Sequence, residues 1–374
     1  FKQLADETAK RVADLESRKL GEPKIRALWD RGEPSPTYIY RRGDYLSPGR
    51  LVGPGVPSVL TDGKTPFEVI PPWPGAKKTG RRLAFAHWLT RPGHPLVPRV
   101  MVNRLWKHHF GTGLVKTLDN FGKTGTPPTH PELLDWLARE FVRRGWSVKA
   151  MHRLMVTSAT YCQSSAVTPA IETADPDNAL YSRMPLQRLS ADQLYDTMLA
   201  VAGRLDETRF GPPDAVDARP DGLVVPRRTG RGWRRSIYVQ QQRKTVVTGL
   251  ESFDFPLMNP NCIERRDSTV VLQALHLMNN GMVHELADAL ARRIENEAGT
   301  GPARQIDRIY LVALGRAPDA EEQSLGVESL ARLTDRWATP AAGSAPPDRS
   351  AAAHKALATY CHAIVNSAEF LYVD

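Results

Sequence analysis

Nine prolines between Glu33 and Gly75 (Pro34, Pro36, Pro48, Pro54, Pro57, Pro66, Pro71, Pro72 and Pro74) constrain this chain more than any other feature. Each fixes φ and removes a backbone donor, so the stretch cannot be helix and can hardly be the centre of a sheet. Yet it carries Tyr38, Ile39, Tyr40, Tyr45, Leu46, Phe67, Val69 and Trp73. A disordered linker rarely holds so many large apolar residues. We therefore expect an ordered, extended arm over 33–80 that wraps the surface of a domain. Ahead of it, residues 1–20 read as a polar helix ending near Gly21. Its thin stripe of Leu4, Val12 and Leu15 expects a neighbour, so 1–32 reads as the end of a linker or upstream domain.

Beyond the arm, helical spacing dominates. Arg81–Thr90 is a short helix stopped by Pro92, and Pro98–Phe110 carries Val100, Met101, Leu105 and Trp106 at helical intervals. Thr129 and Glu132 have the spacing of a capping box. The helix they open aligns Leu133, Leu134, Leu137, Phe141 and Val142 and stops at Gly145. Ser147 caps the next helix, and Ser190 with Gln193 forms another box, opening a helix expected to run through Leu194, Met198, Val201 and Leu205. Residues 206–235 read as a long Pro/Gly/Arg loop, with Ser236–Gln240 a short strand able to pair with Leu223–Val225. Further helices are expected at Thr269–Met278, Met282–Ala298, Ala303–Leu314, Asp319–Trp337 and Ala351–Asn366, with a loop over Ala338–Ser350. The fold class is therefore mainly α: a multi-helical domain over 81–374 with at most a small β-ribbon. It has room for two subdomains, 81–205 and 236–374.

At 374 residues, with 41% hydrophobic and 24% charged residues, the chain can bury a core without disulfide or metal staples. No apolar run approaches membrane-spanning length, so no transmembrane segment is expected. No signal peptide opens it, and Phe1 in place of Met reads as an excised part of something longer. Cys162, Cys262 and Cys361 are too few and too widely spaced for a disulfide framework. They read as three buried thiols, or as one bridge and one free thiol. Without Cys-x-x-Cys-His, no c-type haem attaches here.

The net charge of +9 is uneven. Between Lys77 and Arg153 there are 15 Lys/Arg against 4 Asp/Glu, a balance of 15 − 4 = +11. Such a stretch attracts nucleic acid, acidic polysaccharide or anionic lipid without choosing among them. Six of ten histidines fall in or near it: His87, His94, His108, His109, His130 and His152. None has the His-Glu-x-x-His or His-x-His spacing of paired metal ligands, so no metal site is expected.

Three constellations could carry function. His130, Glu132 and Asp135 share the first turn of one helix and are candidate acid–base groups, although capping accounts for the same residues. Asn103, Arg104, Trp106, His108 and His109 combine polar, cationic and aromatic groups that could hold an anion or a sugar, or brace two helices. Arg227, Arg228, Arg231, Arg234 and Arg235 with Trp233 read as a solvated basic loop that could touch phosphates. Phosphate-loop, dinucleotide and Gly-x-Ser-x-Gly fingerprints are absent, as are the motifs of nucleic-acid-binding folds.

The stretch Arg99-Val-Met-Val-Asn-Arg-Leu-Trp-Lys-His-His-Phe-Gly111 resembles the hallmark of the planctomycete-specific C-terminal domain, also called domain of unknown function 1553. So do Asn120-Phe-Gly122, Pro128–Leu137, Gly145–Lys149, Thr157–Ser165, Phe253–Pro256, Asn261-Cys262, Arg265–Thr269, Gln273–Leu275, Leu277–Asn279 and Val365–Leu371. Cys162 stands where a basic residue is usual, and Leu272 where proline is. The resemblance implies an exported, extracytoplasmic parent protein in which this domain follows a cytochrome-c-type haem domain. Haem would then be a cofactor of an upstream domain only, with none in this segment. It brings no reaction, substrate or catalytic residue.

We therefore expect a non-haem packing or binding module whose partners are upstream domains of its own parent, with Asn103, Arg104, Trp106, His108, His109, Cys262, Arg265 and Asn279 as binding candidates. The alternatives are a hydrolytic enzyme acting on an anionic glycan through His130, Glu132 or Asp135, and nucleic-acid binding through the 77–153 stretch. An exported location disfavours the last.

Overall fold

The computed structural model describes residues 2–18, 34–256, 262–265, 267–339 and 348–373. The chain divides into two compact units, 1–97 and 98–374.

In the first unit, α1 (Lys2–Arg18) exposes the expected apolar stripe, with Leu4 at 67% and Leu15 at 60% exposure. Prolines do not keep the arm from pairing: β1 (Thr37–Tyr40) and β2 (Pro48–Val52) form an antiparallel hairpin. Pro48 is tolerated because a two-stranded hairpin is all edge, where a missing donor need not break a ladder. α2 (Arg81–Thr90) starts at Gly80, whose left-handed φ of 76° brings its backbone against the Ile70 carbonyl, leaving no room for a Cβ. Arg91 Nη2 donates to the Leu60 carbonyl at 2.7 Å and ties this end of the unit to the arm.

The second unit is mainly helical and is built around two hydrophobic cores. The first comes from α3 (Val97–Phe110), α4 (Pro131–Arg143) and α5 (Val148–Val156), with the segments following α3 and α5. Val102, Trp106, Phe110, Leu134, Leu137, Phe141, Met151 and Met155 are its buried members. These are the apolar positions that recur at helical spacing, because only a stripe of that period can face one neighbour along a helix. α6 (Pro169–Ala174) is capped by Thr168.

The second core runs from α7 (Ala191–Val201) to the end of the chain. Four short strands follow α7: β4 (Leu205–Asp206), β5 (Val216–Ala218), β6 (Val224–Pro226) and β7 (Trp233–Arg234). Then come α8 (Thr248–Ser252), α9 (Val271–Asn279), α10 (Gly281–Ala298), α11 (Pro302–Ala313), α12 (Ala320–Ala338), α13 (Arg349–Val365) and α14 (Ala368–Leu371). α10 to α13 pack as a bundle on Ala291, Ile294, Ile306, Ile309, Leu330, Leu357 and Cys361. Met198, Val283 and Leu286 carry that core back to α7. One strand pair closes a long loop of chain: β3 (Gln187–Arg188) is antiparallel to β8 (Tyr372–Val373). Among the described residues, no helix is long and apolar enough to cross a membrane.

Several local expectations are corrected. The Thr129–Glu132 capping box does not form. Pro131 occupies the first helical position of α4, which makes His130 the N-cap, and the Thr129 amide goes instead to the Leu114 carbonyl at 2.9 Å. The box at Ser190 does form, with Gln193 Oε1 accepting from the Ser190 amide at 2.9 Å, and Ser147 accepts from Ala150. Leu205 is not helical: α7 ends at Val201, Gly203 turns the chain at φ 67°, and Leu205 pairs with Trp233 in parallel strands. Residues 206–235 are not an open loop, because β5 and β6 pair antiparallel within them. Ser236–Tyr238 is a 3-10 turn rather than a strand, so the partner of Val224–Pro226 is Val216–Ala218. The cysteines form no bridge, and Cys162 and Cys262 are exposed while Cys361 is buried. Most of the loop expected over Ala338–Ser350, and the helix end near Gly21, lie outside the described residues.

Candidate binding cleft

Asn103 comes first, because it shapes the cleft without entering it. It is fully buried on α3. Its Nδ2 donates to the Val115 carbonyl at 2.9 Å, and the Val115 amide donates back to Oδ1 at 2.8 Å. A primary amide can satisfy both groups of one residue at once, so one side chain fixes the turn 111–118 against the helix. Gly113 is required there: a Cβ would lie 2.8 Å from Asn103 Nδ2 and 2.7 Å from the Val115 carbonyl oxygen. Trp106 is buried too, stacked on Phe110 at 4.0 Å and edge-on to Tyr181 at 5.2 Å. Both residues brace the first core.

The opposite face of α3 is different. Arg104, Lys107 and His108 lie at i, i+3 and i+4, so they project together. They line a cavity of about 1290 Å³ between the two cores, with Lys116 from the fixed turn. Further wall comes from residues of 177–188, the start of α7, Cys262–Arg265, Asp267, Thr269 and Tyr372. Arg104, Lys107 and Lys116 make no ion pair among the described residues.

The far wall is braced by a buried arginine. Arg188 Nη2 meets Asp254 Oδ2 at 2.8 Å, Nη1 meets Gln273 Oε1 at 3.0 Å, and Nη1 also donates to the Ser268 carbonyl. Asp254 in turn accepts from the Ser268 amide and hydroxyl, each at 2.8 Å. Burial pushes the Asp254 pKa up, but the bonds from Ser268 and Arg188 outweigh it and the net shift is down. Cys262, Glu264 and Arg265 line the same cleft. Arg265 pairs with Asp192 at the start of α7.

The imidazoles behind α3 complete the site. His109 Nε2 lies 2.7 Å from His152 Nδ1, so the two share one proton between them. The carbonyl of His109 accepts from Gln187 Nε2 at 3.1 Å. Burial, then His152 and His108, lowers the His109 pKa; burial, then Lys107, Arg265 and His152, lowers that of His108.

Of the binding candidates, Arg104, His108, Cys262 and Arg265 share the cleft, whereas Asn103, Trp106 and His109 support it from the core side. Asn279 is exposed at the end of α9, off the cleft wall, and the neighbouring Asn280 caps α10. The acid–base candidates do not converge. Asp135 is paired with Arg99 at 2.7 Å, and that bond lowers its pKa. His130 meets Thr129 Oγ1 at 3.0 Å, Glu132 is exposed, and none of the three lines the cleft. Among the described residues, no group of three His, Cys, Asp or Glu side chains could hold a metal ion.

Four arginines of the basic loop, Arg227, Arg228, Arg231 and Arg235, are exposed as expected, and one is not. Arg234 is buried, with its guanidinium on Asp214 at 2.8 Å and on the carbonyls of Phe210 and Pro212. Arg227 pairs with Asp217, Arg228 with Glu285 and Arg235 with Asp196. Lys116, Arg188 and the Arg265–Asp192 pair were missed from sequence. Lys116 carried no signal beyond its charge, and the other two act on partners more than sixty residues away.

Neither a comparison with curated proteins nor one with solved structures found a match. The sequence model described as PSD1, Protein of unknown function (DUF1553), matches residues 81–330, from the first residue of α2 to Leu330 in α12. The Val365–Leu371 tail, which also resembles the family's pattern, lies outside that match. With more than half of its length matched, the chain belongs to the DUF1553 family.

Proposed function

We propose that this chain is a binding module whose cleft takes a polyanionic ligand, an acidic polysaccharide segment, within a larger exported, cytochrome-c-type protein. One observation carries the binding part. Arg104, Lys107 and Lys116 line one cavity with His108 and have no ion-pair partner among the described residues. Four carboxylates share the wall, two of them facing Arg265 and Arg188, so five Lys/Arg against four Asp/Glu leave it a small positive excess that attracts anions. The cavity volume of about 1290 Å³ exceeds the roughly 300–1,000 Å³ of usual small-molecule pockets, which favours an extended ligand. The haem-bearing parent and the extracytoplasmic location rest on the resemblance of the conserved-looking blocks alone.

Hydrolysis through His130, Glu132 or Asp135 is less well supported, because these groups point to no common substrate position. Nucleic-acid binding over 77–153 would need one open basic face. Arg99, Arg143 and Arg144 within that stretch are already engaged by Asp135 and Glu140.

The test is calorimetric titration with polygalacturonate, dextran sulfate and neutral dextran, beside a DNA duplex. The proposal expects binding of an acidic polysaccharide, none of neutral dextran, and at least a tenfold loss in the R104A/K107A/K116A variant. Equal binding by wild type and variant would refute it, and preference for the duplex would move the assignment to nucleic acid.

A further inference from the structure

We infer that anion binding in the cleft is proton-linked, with the His108 imidazole taking up a proton as the ligand arrives. The inference rests on the anion-binding reading above. His108 follows Lys107 directly and lies one turn after Arg104 on the same face of α3. Arg265 comes from the segment Cys262–Arg265, Lys116 from the turn after α3, and His152 from α5. Four carboxylates line the same cavity: Asp177, Asp192, Glu264 and Asp267. Asp192 is held by Arg265, and Asp267 faces Arg188 at 3.6 Å. Asp177 and Glu264 are exposed. Burial first, then Lys107 on its own helix, Arg265 across the cleft and His152, hold the His108 pKa below the usual imidazole range, so the ring is neutral at neutral pH.

The neighbouring imidazoles cannot take this role as readily. With 2.7 Å between His109 Nε2 and His152 Nδ1, one ring donates and the other accepts. Neither ring is among the residues that line the cavity, so neither meets the ligand. His108 lines the cavity and is the imidazole that meets the ligand. An anion in the cleft supplies the counter-charge that His108 lacks. Binding then draws one proton from buffer onto the ring, and affinity rises as pH falls. No bond in the ligand is made or broken.

The experiment is titration of the full chain with dextran sulfate, which stays ionised throughout, at pH 6 and pH 8 in buffers of different ionisation enthalpy. Wild type is expected to bind about three- to tenfold more tightly at pH 6, with proton uptake seen as a buffer-dependent heat. His108→Gln is expected to lose both the pH dependence and the uptake, whatever its absolute affinity. Circular dichroism at both pH values confirms its fold. Binding by wild type without uptake overturns this inference alone, as does uptake that persists in His108→Gln. Absence of binding at both pH values overturns the anion-binding reading and this inference together.

Discussion

Two stretches of this chain look alike as sequence, Arg99–Lys116 and Arg227–Arg235: each mixes arginines with a tryptophan. Their fates are opposite. In the second, Trp233 and Arg234 are buried, and Arg227, Arg228, Arg234 and Arg235 each meet a carboxylate. Arg228 also lies over the Trp233 ring, 4.7 Å from its centroid. In the first, the tryptophan is buried while Arg104, Lys107 and Lys116 face a cavity with no ion-pair partner among the described residues. The lesson is that cation content does not make an anion site. What counts is whether the fold has already spent those charges on its own acids.

Substitutions can break that comparison, and the largest effect is expected in the spent region. Arg234→Ala would strand Asp214 beside the carbonyls of Phe210 and Pro212, and is expected to destabilise by about 3–5 kcal/mol. Urea unfolding would measure it, and a loss below about 1 kcal/mol would mean that Arg234 is not a structural ion. Next is Asn103→Ala, which leaves both backbone groups of Val115 buried and unsatisfied and is expected to cost about 2–4 kcal/mol. It should also weaken ligand binding, because Lys116 sits on the turn that Asn103 holds. Unchanged stability would show that the turn stands without it.

A smaller, pH-dependent effect is expected where α13 meets α10. His354 Nδ1 lies 3.0 Å from Glu295, and Nε2 lies 2.9 Å from Asp288. Both contacts can be hydrogen bonds only if the ring carries two protons. Burial opposes that charge, but the two carboxylates outweigh it and the net pKa is raised. A raised folded-state pKa stabilises fully below the unfolded value near 6.5 and is lost as pH climbs through the folded value. The stability advantage of wild type over His354→Gln should therefore be larger at pH 6 than at pH 9. An equal gap at both pH values would contradict the doubly bonded imidazolium.

Much of this fold could be read from residue order. The span Arg81–Thr90 is the observed α2, and α3 to α5, α7 and α9 to α13 fall near their expected bounds, because a 3.6-residue stripe leaves few alternatives, whereas the short α6 and α8 were not anticipated. What failed was local competition. Pro131 displaced the Thr129 cap, and Ser236–Tyr238 turned tightly where its apolar content suggested a strand. The two-residue pairing of Gln187–Arg188 with Tyr372–Val373 carries no pattern at all. In the cleft, the i, i+3, i+4 spacing of Arg104, Lys107 and His108 was visible. Which arginines would already be neutralised was not, since Arg188 finds Asp254 sixty-six positions away and Arg265 finds Asp192 seventy-three away.

The central claim is that Arg104, Lys107 and Lys116 are available, whereas Arg227, Arg228, Arg234 and Arg235 are held by carboxylates. The most direct measurement is the salt dependence of polyanion affinity in wild type, R104A/K107A/K116A and R227A/R228A/R235A. The account predicts that the slope of log affinity against log salt falls by about two to three in the first variant and hardly changes in the second. A reduced slope in the loop variant, with the α3 variant like wild type, would contradict it.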